Sequence, residues 1–86
     1  MASNHPTMVE GLEVNEADDG LVIYQESTDR VHHLNPTAGV ILQLCDGSHD
    51  AEAIADFVAR GFGLDEVPVE ETRSTLAQLA EEGLIT

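Results

Sequence analysis

The step Asn35-Pro36-Thr37 divides this chain into two halves that obey different hydrophobic periods. Before it, apolar and polar residues alternate in short runs, as with Leu12 and Val14 alternating with Glu13 and Asn15. Such alternation marks strands with one buried face. After it, apolar residues recur every three or four positions, as a helix with one buried stripe requires. Proline at 36 has no N–H to give to a sheet ladder, but it suits the first turn of a helix, where that donor would be orphaned anyway. Asn35 just before it is a good helix N-cap. A chain patterned in this way forms its sheet first and its helices afterwards, an α+β arrangement.

The segments can be placed more closely. Leu12 to Asn15, Leu21 to Tyr24 and Arg30 to Leu34 read as three strands. Asp18-Asp19-Gly20 makes the first turn and Glu26 to Asp29 the second connection, so loops of about three to five residues give an antiparallel meander. In the first helix Val40, Ile41, Leu44 and Cys45 share a stripe, and Asp46-Gly47 stops it. Asp50 caps a second helix in which Ile54, Phe57, Val58 and Phe62 line up, with Gly61 and Gly63 ending the run. Val67-Pro68 opens a third, with Val69, Thr72, Leu76, Leu79 and Ala80 on its apolar stripe and Gly83 closing it. Residues 1–8 carry no periodic pattern and are expected to form a flexible tail, leaving one domain over 9–86. A three-stranded antiparallel sheet followed by three helices has the outline of a winged helix-turn-helix-like unit.

Composition excludes several functions. The net charge is −14, with seventeen acids, no lysine and only Arg30, Arg60 and Arg73 as permanent cations. Reading a duplex needs a basic stripe to displace counterions, which argues against a nucleic-acid partner and makes a winged-helix transcription regulator the weakest of the readings. The single cysteine, Cys45, forbids an internal disulfide and suits a reducing, cytoplasmic setting. The longest apolar run, Ala38 to Leu42, is too short to span a bilayer, so no membrane association is expected. A chain of 86 residues buries only about 60% of its unfolded surface and has little room for a deep active site. His5, His32, His33, His49 and Cys45 lack metal-ligand spacing. Cys45 sits on an apolar stripe where a thiol is inert, and the glycines are dispersed as caps and turns. Neither an enzyme nor a cofactor site is expected.

Three blocks, HHLNPTAGVILQLCDG, DAEAIADFV and TLAQLAEEGLI, carry a resemblance. In their order and spacing, with Leu34-Asn35, Cys45-Asp46-Gly47 and Gly83-Leu84 as the most distinctive pieces, residues 9–86 resemble the PqqD family. This is the family of pyrroloquinoline quinone (PQQ) synthesis protein D, the prototype of peptide-recognition elements in ribosomal peptide modification. The resemblance implies a non-catalytic adaptor, or peptide chaperone, that binds the leader segment of a precursor peptide. It would deliver the core segment to a modifying enzyme such as a radical SAM enzyme or a lasso-peptide protease. It also implies that the leader adds as a strand to the edge of the third strand, in a groove against the third helix.

The residues fit that implication. An edge strand exposes unpaired main-chain groups that a peptide can satisfy, and Arg30, Val31, His32, His33 and Leu34 form the segment best placed for it. Neighbouring strand residues face opposite ways, so one of His32 and His33 points to the packed face and the other to solvent or the groove. On the third helix Thr72, Arg73, Leu76, Ala77 and Ala80 are the expected peptide contacts, the two alanines leaving room for ligand side chains. Arg73 would meet an acidic leader residue, or else make a surface ion pair with Glu70 or a neighbouring acid. Leu79 is assigned to the core, and Leu76 to core or groove. If charge contributes to binding, the leader is basic or amphipathic and salt weakens the complex. Two alternatives stand beside this one: an acidic protein–protein interaction module docking a basic partner, and pairing of the free edge with a second copy to give a homodimer.

Overall fold

In the computed structural model, which describes residues 5–86, the strands are β1 (Leu12–Ala17), β2 (Gly20–Gln25) and β3 (Arg30–Leu34). The helices are α1 (Pro36–Gln43), α2 (Ala51–Phe62) and α3 (Val69–Glu81). The strands pair antiparallel in the order β1-β2-β3, so β1 and β3 are both edges. Register places Ile23 opposite Val14 and His32, and Leu21 opposite Glu16 and Leu34. The architecture is the expected α+β one, three strands and then three helices.

Strict alternation in β2 buries Leu21, Ile23 and Gln25 and leaves Val22 and Tyr24 half-covered. At the first turn only Asp18 and Asp19 separate the strands, a tighter connection than expected. It closes on Gly20 at φ +145°, where a Cβ would overlap the Leu34 carbonyl oxygen. Glycine is required there both for the backbone conformation and for the close approach. Asn35 caps α1 by accepting from the Ala38 N–H at 2.8 Å, and Asp50 caps α2 by accepting from Ala53 at the same distance.

The core joins Leu21 and Ile23 of the sheet to Ile41, Leu42 and Cys45, to Ile54 and Val58 of α2, and to Leu79, Leu84 and Ile85. α1 lies against β2 and β3, while α2 contacts only α1 and α3. Two expectations for the stripes are corrected. On α1 and its C-cap Leu44, Leu42 joins Ile41 in full burial, while Val40 and Leu44 pack against the core but are only partly covered. On α2, Ala55 and Ala59 pack inward with Ile54 and Val58, and Phe57 and Phe62 are 45% and 42% exposed. Phe57 rests its edge on His49, with ring centroids 5.0 Å apart. With Ile54, Ala55, Val58 and Ala59 making up the inward face, the two rings are left on the outer one.

The expected tail over 1–8 is corrected for residues 6–8, and residues 1–4 lie outside the described residues. Thr7 and Thr86 exchange backbone hydrogen bonds at 3.2 and 2.9 Å, and Met8 N–H donates to the Cys45 carbonyl at 2.7 Å. Val9 donates to Leu84, and the Pro6 carbonyl accepts from Gly47. Pro6 is buried and Met8 packs on the core. These two apolar side chains, in an otherwise polar stretch, hold the segment down.

Candidate functional site

β3 is bonded to β2 on one side only. Among the described residues, no backbone hydrogen bond outside that ladder involves residues 30–34. Its other side presents free N–H and C=O groups to an open groove of ≈320 Å³. One wall is the end of β3 and the start of α1, from His33, Leu34 and Asn35 to Thr37 and Ala38. The other is α3, through Glu71, Thr75, Gln78, Leu79 and Glu82. Four of these, Glu71, Thr75, Gln78 and Glu82, fall at i, i+4, i+7 and i+11, a single row along the helix. No Cα of α3 comes within 8 Å of a strand Cα, so the two walls are not zipped together by backbone packing.

A side-chain strap crosses at one end of the groove. His32 Nε2 lies 3.0 Å from Gln25 Oε1, and its Nδ1 lies 3.7 Å from a Glu82 carboxylate oxygen. Gln25 Nε2 donates to the Gly83 carbonyl at 3.2 Å, and Thr28 Oγ1 donates to Gln25 Oε1 at 3.0 Å. The buried polar Gln25 is thereby satisfied, and β3 is tied to the C-terminal end of α3. Opposed residues of paired strands share a face, so His32 and Leu34 face the core with Ile23 and Leu21. Val31 and His33 stand on the outer face, Val31 55% exposed. This resolves the two histidines: His32, with a side chain 10% exposed, is the inward one.

The expected site is split by the structure. Arg30 to Leu34 form the free edge as expected. Arg73, Leu76, Ala77 and Ala80 lie on the far flank of α3, in a larger concavity of ≈670 Å³ shared with Pro6, Asp50, Ala51, Glu52, Ile85 and Thr86. Thr72 is on neither flank: it is 1% exposed, with its hydroxyl lacking a hydrogen-bond partner. The rotational phase of α3 decides this outcome. Thr72 and Leu79 both point into the core, which turns the Glu71 row toward β3 and the Arg73 sector away from it. Arg73 instead reaches Glu52 of α2 at 3.4 Å, an exposed ion pair. The signal for the groove row was available in its i, i+4, i+7, i+11 spacing, but as a polar row it resembled a solvated face.

Groups suited to chemistry elsewhere are quiet. Burial, and then the Asp46 charge, pushes the Cys45 thiol up to about 11, so it stays protonated and donates to the Ile41 carbonyl at 3.1 Å. Hydrogen bonds from Ser48 hold the Asp46 carboxyl below its ordinary value. Among the described residues no cluster of three or more His, Cys, Asp or Glu side chains could hold a metal ion. No helix among them is long and apolar enough to cross a membrane.

The family model described as coenzyme PQQ synthesis protein D (PqqD) matches residues 20–85, which include both groove walls. No curated protein matches. Among solved structures, the chain is similar to TbiB1 in complex with the TbiA(beta) leader peptide, with a TM-score of 0.75 and 21% identity over 92% of this chain and 93% of that one. It is also similar to lasso peptide synthetase B1 complexed with the leader peptide, with a TM-score of 0.75 and 21% identity over 95% and 98% of the two chains. At that identity the likeness establishes a shared fold.

Proposed function

The chain belongs to the PqqD family, and on that premise we propose that it is a non-catalytic adaptor that binds the leader segment of a ribosomally made precursor peptide. The observation that carries this reading is the free edge of β3, facing α3 across an open groove. An extended leader adds to the edge as a fourth strand. Its main-chain groups pair with those of residues 30–34, and alternate side chains enter the groove toward Glu71, Thr75, Gln78 and Glu82. Affinity then comes mainly from the ladder, and selectivity from the groove. The core segment of the precursor is left free for a modifying enzyme, such as a radical SAM enzyme or a lasso-peptide protease, acting with the adaptor in the cytoplasm. That two structures of the same fold each hold a leader peptide supports the reading.

The test is an NMR titration of the labelled protein with a leader peptide encoded beside its gene. Shifts should concentrate in Arg30 to Leu34 and along the Glu71 to Glu82 face of α3. Shifts confined to the Arg73 flank, or to the acidic β1–β2 hairpin, would remove β3 as the binding edge.

A further inference from the structure

The groove walls carry two carboxylates, Glu71 and Glu82, and neither lysine nor arginine. The cation nearest to hand in sequence, Arg73, is turned to the other flank of α3 and paired with Glu52. We infer that the leader this chain accepts is basic on the side that faces α3, with lysine or arginine side chains meeting Glu71 and Glu82. The inference rests on the leader-binding reading above and names the chemistry of the ligand at that site.

An acidic leader side chain would enter a groove whose lining has two like charges and no permanent counter-charge, Arg30 being at the opposite end of β3 from His33 and Leu34, on a body of net charge −14; such juxtaposition is repulsive and selects against that ligand. Glu71 is exposed, while Glu82 is held at the groove end by His32, so one carboxylate is open to a partner and the other is already oriented for one. The spacing also suits an extended peptide. Glu82, the C-cap of α3, is eleven positions after Glu71, about 16 Å at 1.5 Å per residue, and a strand covers that distance in about five residues at 3.3 Å each. Side chains four or six apart share a strand face, and the long flexible stems of lysine and arginine take up the remaining difference.

The test uses two synthetic strand-forming peptides that share threonine at every second position and differ only in carrying lysine or glutamate at the others. Each is titrated into the labelled full chain. The lysine peptide should shift residues 30–34 and bind about tenfold or more tighter than the glutamate peptide. Glu71→Gln with Glu82→Gln should remove most of that preference. A control pair on the far edge of the sheet, Glu13→Gln with Glu16→Gln, changes the net charge equally and should alter affinity by less than about twofold, since exposed distant charges are screened. All four glutamates are at the surface, and amide spectra verify the fold of each variant. Equal binding of both peptides at β3, or equal losses from the two variant pairs, would overturn the inference while leaving strand addition intact. Failure of both peptides to perturb residues 30–34 would instead overturn the leader-binding reading itself.

Discussion

Thr72 shows at the scale of one residue how burial and chemistry can disagree. Its hydroxyl is buried without a hydrogen-bond partner, and a polar group left unpaired in the interior costs about 1–3 kcal/mol. Thr72→Val keeps the branched shape and removes the orphan, so urea denaturation should show a gain of about 1 kcal/mol; a loss would mean that the hydroxyl is satisfied in solution. Cys45 makes a pH-dependent contribution of definite sign. Its thiol rises from 9.0 unfolded to about 11 folded, so its contribution is complete below 9.0 and is lost as pH climbs through about 11. Stability should fall over that window in the native chain, and Cys45→Ala, though less stable at neutral pH, should show a flatter decline. The burial of Cys45 was legible from its place on the apolar stripe, although α1 itself stops two residues earlier at Gln43. The direction of Arg73 was not, because spacing along a helix says which residues share a face and does not say which neighbour that face meets.

At the scale of elements, caps and turns were the most legible parts, since each rests on chemistry within a few residues. Asn35 and Asp50 accept from the third residue beyond them, as their side chains dictate. The phase of α3 and the exposure of Phe57 and Phe62 were set by contacts distant in sequence, and periodicity alone could not choose between Ala55 and Ala59 or the two phenylalanines as the inward residues of α2. Gly20 couples the two kinds of information. It ends a local turn, yet its missing Cβ makes room for the carbonyl of Leu34, fourteen positions on, at the end of β3. Gly20→Ala should therefore destabilise the chain by about 2 kcal/mol or more, combining an unfavourable φ with a backbone overlap. Because Leu34 lines the groove, the same change should weaken leader binding in titrations on the remaining folded protein. Unchanged stability would show that the hairpin can shift without disturbing β3.

For the whole molecule the charge of −14 acts in two directions. Seventeen acids with three arginines repel one another in the compact state, so added salt should raise the midpoint of thermal unfolding of the free chain. The same salt should weaken a complex with a basic leader. Opposite slopes in paired thermal and binding measurements would separate self-repulsion from recognition, whereas an affinity that does not change with salt would show that charge plays no part in binding, and one that rises with salt would show that the leader is repelled. The seam in which residues 7–9 pair with residues 84–86 also bears on the order of events during folding. It closes a loop of nearly the entire chain, at an entropic cost about 3 kcal/mol above that of a four-residue hairpin connection, so it forms after the meander and the helices have already brought its two sides together. The step that comes last in folding is the one most readily reversed. The amides of Thr7, Val9 and Thr86 should therefore exchange with deuterium well before that of Ile23, reporting a native state that opens at this clasp while its sheet remains closed.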